Sequence, residues 1–147
     1  MNQEDKLIFD IFKNFDQEFD NYKKNKMGKI KMLFESKKLS PSYLKIETDN
    51  PKKNKEGFGE KKGNMLHGFV VVKYGTLNYY IGNYQNNEKN GFGYHHFINK
   101  LVYKGKYTDG KKVGGIVIDP EDGHLVYEGG WANDTYNGKG TLTRKNK

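Results

Sequence analysis

The sequence predicts a mainly β protein, a ribbon of stacked β-hairpins preceded by an N-terminal amphipathic α-helix. A frame of Tyr-x-Gly-x-Tyr/Trp starts at Tyr80, Tyr103 and Tyr127, at intervals of 23 and then 24 residues. Repeats of this length are typical of architectures built from stacked units. The N-terminal segment instead spaces its apolar residues three and four positions apart, as a helix does.

Residues 1–26 form the first of three segments, and the apolar spacing predicts a helix over about residues 4–25. Acidic residues come early in this segment and lysines late, which suits the helix dipole. Two roles fit the apolar stripe: it covers the end of the repeat array, or it inserts into the groove of a partner protein. The residues predicted to make the partner contact are Ile8, Ile11, Phe12, Phe15 and Phe19.

Residues 27–64 form a lysine-rich, irregular segment with short extended pieces. In KIKMLFES, Ile30, Met32 and Phe34 alternate, and this alternation predicts a short strand. The stretch SPSYLKIETDNP predicts a second extended piece. The glycine and lysine residues of KKNKEGFGEKKGN are typical of a flexible basic loop.

Residues 65–147 contain the repeats: a half-unit from His67, then the three full units. In LVYKGKY, the two tyrosines and the glycine between them share one strand face, because side chains alternate across a strand. The glycine leaves room for a neighbouring ring or backbone to approach closely.

Each unit is predicted to be a β-hairpin, and a further reversal between units gives a meander. Asparagine, aspartate and glycine accept the positive φ angles that a tight reversal requires. They follow the second aromatic residue at Asn86-Asn87, Asp109-Gly110 and Asn133-Asp134. The second strands open at Gly91, Gly114 and Gly138, and the reversals between units fall at Gly75, Asn99 and Gly123.

Composition limits the chemistry of the chain. It has 147 residues, a net charge of +8 and no cysteine, so disulfides, thiol nucleophiles and Cys-ligated metals are excluded. No run approaches the roughly 20 apolar residues of a membrane helix. The N-terminus does not resemble a secretory signal. These observations predict an intracellular, soluble protein.

No catalytic, metal or cofactor site is expected. His95 and His96 are adjacent on a predicted strand, so their side chains leave opposite faces and do not chelate one metal together. Asp119, Glu121 and Asp122 surround a proline and precede a glycine, which favours solvated turn residues over general acid or metal chemistry. We therefore expect a protein that is not an enzyme.

The recurring frame, its polar turn and the following Gly-x-Gly resemble MORN (membrane occupation and recognition nexus) repeats. The resemblance covers Tyr80–Asn99, Tyr103–Asp122 and Tyr127–Thr143, with the half-unit before them, and none of residues 1–64. The middle unit departs from the pattern, because Gly114-Gly115-Ile116 replaces Gly-x-Gly. The resemblance implies an elongated, slightly twisted ribbon of hairpins with no catalytic centre. It also implies a scaffold role in cytoskeletal or ciliary assemblies, and in some members phospholipid binding.

The first functional hypothesis is a non-catalytic scaffold or protein-interaction subunit of a multi-subunit complex. Its expected location is the cytoplasm, the cytoskeleton or a cilium, as in an axoneme, and an accessory subunit of a mitochondrial complex is an alternative. Its expected partner contacts on the repeats are the aromatic residues Tyr80, Tyr84, Tyr103, Tyr107, Tyr127 and Trp131.

Two further hypotheses use the positive charge. The first is a phospholipid-binding membrane tether, with anionic-lipid contacts at Lys104, Lys106, Lys111 and Lys112. The second is nucleic-acid binding by base stacking. Arg144 is the only arginine among 26 basic residues, and the repeat itself needs the aromatic positions, so the nucleic-acid hypothesis is disfavoured.

Overall fold

Three helices precede a long antiparallel sheet in this protein. The computed structural model describes the backbone of residues 2–132 and 135–142 and the side chains of residues 2–132. The helices are α1 (Gln3–Lys13), α2 (Phe15–Asn25) and α3 (Lys29–Ser36). The strands are β1 (Ser42–Ile46), β2 (Lys55–Lys62), β3 (Met65–Gly75), β4 (Asn78–Gln85), β5 (Glu88–His96), β6 (Val102–Thr108), β7 (Lys111–Ile118), β8 (Leu125–Ala132) and β9 (Thr135–Leu142), with a 3₁₀ turn at Pro51–Lys53.

Within the described backbone, the nine strands form one sheet in the order of the chain, from β1 to β9. Every neighbouring pair is antiparallel, so the sheet is a continuous meander. The three full repeats are the hairpins β4–β5, β6–β7 and β8–β9. The predicted fold class, a mainly β stack of hairpins after an N-terminal helical segment, is confirmed. The half-unit at His67 is strand β3, and β2 completes it as a further hairpin.

The hairpin turns of the first two full repeats have the backbone that their residues favour. Asn86 and Asn87 have φ angles of 49° and 68°, and Asp109 and Gly110 have φ angles of 50° and 80°. Two successive positive φ angles are the signature of a type I′ turn, whose twist matches that of the flanking strands. The corresponding turn of the third unit, Asn133-Asp134, lies outside the described residues.

Glycines from successive strands form a row that crosses the sheet. Gly82 pairs with Gly93, Gly93 with Gly105, and Gly105 with Gly115. The row continues through Gly129 to Gly140. We call this the glycine row. It follows from the constant position of the glycine in each repeat frame.

The first tyrosine of each frame lies over the glycine row. A β-carbon on Gly105 would lie 2.8 Å from the hydroxyl oxygen of Tyr103, and one on Gly115 would lie 2.9 Å from its ring. The Tyr103 hydroxyl donates to the carbonyl of Lys106 at 2.7 Å, three residues later. Tyr80 and Tyr127 make the same bond to the carbonyls of residues 83 and 130. The repeat frame therefore places a tyrosine ring over the glycines of its own hairpin.

The second aromatic residue of each frame connects one hairpin to the next. Tyr107 meets Tyr103 of its own unit edge to face, with ring centroids 5.3 Å apart. It meets Tyr80 of the preceding unit at 5.4 Å in the same geometry. Trp131 likewise contacts Tyr103 at 4.9 Å and Tyr127 at 5.4 Å. Edge-to-face pairs of this kind stabilise by about 1 kcal/mol beyond the buried area. We call this side of the sheet the aromatic face.

The helices cover the opposite side of the sheet, which we call the helix face. Phe15 stacks on Tyr79 with centroids 3.9 Å apart, and Phe19 packs on Phe58 at 5.1 Å. The buried sheet residues of this layer are Phe58, Val71, Tyr79, Ile81, Tyr94, Val102 and Ile118. Strands β3, β4, β6 and β7 therefore each bury one set of alternate residues under the helices and the other set on the aromatic face, whereas β5 contributes Tyr94 to the layer under the helices.

The N-terminal helical segment differs from its prediction in one respect. The helix expected over about residues 4–25 is two helices, which meet at Asn14, whose φ and ψ angles of −132° and 42° are not helical. The apolar stripe nevertheless continues across the break and stays buried. The break changes the direction of the chain, and both halves of the stripe still reach the sheet.

Residues 27–64 also differ from the prediction. KIKMLFES is helix α3, because Ile30, Leu33 and Phe34 are buried at helical spacing, whereas Met32 is 58% exposed. The stretch expected to be a flexible basic loop contains strand β2. Gly57 and Gly59 of β2 lie too close to Val70, Val71 and Val72 of β3 to leave room for side chains. The extended piece predicted in SPSYLKIETDNP is confirmed as β1.

The glycine row makes a direct prediction for stability. Gly105→Val should destabilise the fold by about 2 to 3 kcal/mol, because the new side chain has to displace Tyr103 and the backbone of β7. Gly114→Val is the matched control, because a β-carbon there meets nothing within 4 Å, and its effect should stay within about 0.5 kcal/mol. Chemical denaturation compares the two variants, and equal effects would contradict the proposed packing.

The helix layer makes a second prediction. Phe15→Asp should abolish cooperative unfolding, because it removes a ring stacked on Tyr79 and buries a carboxylate at a site 2% exposed. Gln17→Asp, on the exposed side of the same helix, should unfold like the wild type. Thermal denaturation followed by circular dichroism measures both. A folded Phe15→Asp protein would show that the helix layer is dispensable for the sheet.

Candidate docking surface at the β1 edge

The aromatic residues assigned to partner binding from the sequence lie in the core. Tyr80 and Tyr103 are fully buried, and Tyr84, Tyr107 and Tyr127 are at most 4% exposed. Trp131 is half-buried, and its indole N–H donates to the carbonyl of Gly115 at 2.9 Å. These rings hold neighbouring hairpins together and are not exposed for contact with a partner.

The apolar stripe of the first two helices is also internal. Ile8, Ile11, Phe12, Phe15 and Phe19 are each at most 3% exposed and belong to the core under the helix face. The stripe thus covers a face of the array and not its end. The packing leaves none of these five side chains available to the groove of another protein in this conformation.

The four lysines assigned to lipid contact do not share one surface. Lys104 forms an ion pair with Asp5 under the helix layer at 2.5 Å. Lys112 is buried on the aromatic face, with its ammonium 4.9 Å from the centre of the Phe97 ring. Only Lys106 and Lys111 of this set are exposed.

Asp5 ties helix α1 to the sheet. Its carboxylate accepts a hydrogen bond from the Tyr94 hydroxyl as well as the ion pair from Lys104. Burial, reinforced by the adjacent Asp5 carboxylate, raises the pKa of Tyr94. A buried carboxylate needs partners of this kind to offset its desolvation. Asp5, Tyr94 and Lys104 therefore have a structural role, because they attach helix α1 to strands β5 and β6.

The two adjacent histidines point to opposite faces, as expected. His95 lies on the aromatic face and donates through Nε2 to Asn78 Oδ1 at 2.7 Å. His96 lies under the helices, 5.3 Å from the Phe12 ring. Burial, together with the charges of Lys89 and Lys112, lowers the pKa of His95 to about 2. His95 is therefore neutral at physiological pH.

The acidic residues between β7 and β8 form a turn. The backbone N–H of Glu121 donates to Asp119 Oδ1, and that of His124 donates to Asp122 Oδ1, each at 3.0 Å. The ligand atoms of Asp119, Asp122 and His124 lie within 4.8 Å of one another. The hydrogen bonds give these side chains the turn-closing role that the sequence predicts.

Strand β1 is an edge of the sheet. Among the described residues it pairs only with β2, from Ser42 opposite Gly59 to Ile46 opposite Lys55. Its outer backbone groups therefore face away from the sheet. The other edge strand is β9, whose side chains lie outside the described residues. An edge strand presents a row of hydrogen-bonding groups that another chain is able to use.

A pocket of about 790 Å³ opens beside β1, between this strand and helices α2 and α3. Its apolar wall includes Tyr22, Phe34, Leu39, Tyr43 and Phe58. Lysines 23, 26 and 31 and glutamate 35 line the rest of it, with residues 40–42 completing the rim. Tyr43 is 38% exposed at this edge, whereas Phe34 and Phe58 are buried. The helix layer thus stops short of β1 and leaves apolar surface beside it.

A hydrogen-bonded group on β2 connects two side chains that line the pocket. The Tyr43 hydroxyl donates to Glu56 Oε2 at 2.5 Å, and Lys23 Nζ approaches the same oxygen at 3.2 Å. Burial opposes ionisation of Glu56, but these two hydrogen bonds lower its pKa below the ordinary value. The charged carboxylate therefore holds both side chains beside β1.

The region around this edge is basic. Residues 21–46, which run from the end of α2 through β1, contain eight lysines and a single acidic residue, Glu35. Five of these lysines form ion pairs: Lys23 with Glu56, Lys29 with Asp10, Lys31 with Glu35, Lys37 with Glu4 and Lys45 with Glu47. Counted with these five carboxylates, the eight lysines leave a net charge of +3. Lys26 and Lys31 are exposed at the pocket. We call β1 and this pocket the β1 docking surface. Its sequence signals are an extended piece after Pro41 and a lysine cluster. They do not reveal an edge strand, because strand order depends on the whole sheet.

No helix in the described residues is long and apolar enough to cross a membrane. No protein-family model matches the chain, and comparison with curated proteins finds no significant match.

The lowered pKa of His95 leads to a prediction of how the stability of the fold depends on pH. The pKa of His95 is about 2 in the fold, whereas its ordinary value is 6.5. Between these two pH values the protein therefore binds a proton when it unfolds. Stability is fully present above pH 6.5 and falls as the pH drops below it. The contribution of His95 to this loss is about 1.4 kcal/mol between pH 7.5 and 5.5.

His95→Gln keeps an N–H donor for Asn78 and removes this titration, so its stability should fall less over the same interval. Guanidinium unfolding of both proteins at the two pH values measures the difference. An identical fall in the two proteins would show that His95 is accessible to protons in the fold.

Proposed function

We propose that this chain is a non-catalytic protein-interaction subunit of a larger assembly, and that the β1 docking surface holds its partner. The observation that carries the proposal is an edge strand lying beside an apolar pocket with a basic rim. The rings and the helix stripe are used for internal packing. The repeats thus act as a rigid support that presents β1.

The repeat frame supports membership of the MORN-repeat class. The spacing of Tyr80, Tyr103 and Tyr127 resembles that class, and a stacked hairpin sheet is compatible with it. By that analogy the assembly is a cytoskeletal or ciliary one, such as an axoneme, and a mitochondrial complex is the alternative. Proteins that co-purify with the chain would distinguish these compartments.

The placement of the lysines favours a protein partner over a membrane. A tether needs several cations on one accessible surface. Lys104 is paired with Asp5, and Lys112 is buried, which leaves Lys106 and Lys111 from the set assigned to lipid. The basic region next to β1 has, in addition, an edge strand and an apolar pocket, and both of these suit a polypeptide.

Native purification of a tagged copy from its own cells tests the proposal. We expect elution in a particle much larger than the 17.0 kDa chain, with defined proteins identified by mass spectrometry. The Lys26→Glu/Lys31→Glu variant should leave this particle, because it reverses charge at the pocket. Lys106→Glu/Lys111→Glu, with the same charge change on β6 and β7, should remain in it.

Elution of the wild-type protein as a free chain would contradict the proposal. Release of the wild type from membranes by salt alone would support a lipid tether instead, because salt screens the attraction between lysines and anionic headgroups. Loss of both charge variants from the particle would place the contact elsewhere on the molecule.

A further inference from the structure

We propose that the β1 docking surface binds an extended, acidic protein segment that adds to the sheet as a further antiparallel or parallel strand. This inference rests on the proposed function and specifies the chemistry of the partner. Three features of the surface carry it: the outer backbone edge of β1, the apolar surfaces on both sides of that edge, and the surrounding charge.

The backbone edge is the first feature. In a strand paired on one side, alternate N–H and C=O groups point to the other side. Among the described residues, β1 has β2 on one side and no strand on the other. An incoming strand would satisfy these groups with its own backbone, which gives affinity independent of its sequence.

The side chains of β1 show what such a strand would contact. Tyr43 lies on the helix side, where its ring is 5.3 Å from that of Phe58. Leu44 and Ile46 lie on the aromatic side and are half-buried against its core. Both apolar layers of the protein therefore reach β1 and end there.

An added strand would continue both layers. Because side chains alternate, one set of its residues would face the pocket near Phe34 and Leu39. The other set would lie beside Leu44 and Ile46. The segment is therefore expected to carry apolar residues toward both faces, including one large enough to enter the pocket.

The positive charge of the β1 docking surface favours an acidic segment. Counted with the carboxylates that pair with them, the eight lysines of residues 21–46 leave a net charge of +3. Lys23, Lys26 and Lys31 line the pocket, where Lys23 is paired with Glu56 and Lys31 with Glu35. Carboxylates that flank the apolar residue would lie next to the exposed ammonium group of Lys26. The same charge disfavours a second copy of this chain, because pairing β1 with β1 would bring two lysine clusters together.

A nucleic acid fits the surface less well than a polypeptide does. Its phosphates would be attracted by the lysines, but segment 21–46 contains no arginine for bidentate phosphate or base contacts. The pocket wall, which includes Leu39 and Phe34, and the edge amides suit apolar side chains and a peptide backbone.

The test uses the full chain and a fluorescent peptide of sequence SEVFVEG, with the reversed-charge peptide SKVFVKG as its counterpart. We expect SEVFVEG to bind and SKVFVKG to bind at least about tenfold more weakly. Lys26→Glu/Lys31→Glu should weaken binding of SEVFVEG by about tenfold. Lys106→Glu/Lys111→Glu should leave it unchanged. Thermal denaturation verifies that both variants fold.

Backbone methylation separates strand addition from simple attraction of charge. Two versions of SEVFVEG carry N-methyl groups on alternate amides, one on the odd-numbered and one on the even-numbered positions. Only one set faces β1 in an added strand, so one version should lose binding and the other keep it. Hydrogen exchange should also show that amides of residues 42–46 gain protection when the unmodified peptide binds.

Several outcomes would overturn the inference. Equal binding of both methylated versions, or unchanged exchange across β1, would exclude strand addition. Equal binding of the acidic and basic peptides would exclude the charge argument, and binding of single-stranded DNA in preference to SEVFVEG would point to a nucleic acid. Concentration-dependent dimers that protect residues 42–46 would identify a second copy as the occupant. A stable native particle without SEVFVEG binding would reject this inference and leave the proposed function standing.

Discussion

The packing of tyrosine over glycine is the interaction on which the rest of the structure depends. Tyr103 covers Gly105 and Gly115 and bonds the carbonyl of Lys106, and the other two frames repeat the same hydroxyl bond. A lone hairpin is marginal in water, so the units need contacts with one another. The second aromatic residue of each frame supplies them by joining adjacent hairpins edge to face.

Once the rings are buried on one side, the other side of the sheet needs a cover. Strands β3 to β7 place a second apolar set there, and α1 and α2 supply the phenylalanines that pack on it. The ion pair between Asp5 and Lys104 joins the first helix to β6. The aromatic residues therefore pack in the interior on both faces of the sheet, and we accordingly propose the β1 edge as the docking surface.

The β1 edge brings three features together. It has outward backbone groups, an apolar pocket and a cluster of lysines within one region. A short edge strand with a lysine is also a common protection against uncontrolled pairing between sheets. A protected edge that still has apolar surface on both sides is suited to a selective partner, with acidic charge as the selecting feature.

The sequence by itself determined the repeat. Constant spacing of Tyr80, Tyr103 and Tyr127, with turn residues such as Asn86-Asn87, is local information, because period and turn chemistry act over a few residues. It did not determine helix α3 or strand β2, since short apolar runs and glycine-rich stretches fit more than one local structure. Only the tertiary structure decided that the rings are core, that the four lysines are dispersed and that β1 is an edge. Each of these depends on which distant strands and helices lie alongside, and the order of strands in a sheet is a property of the whole chain.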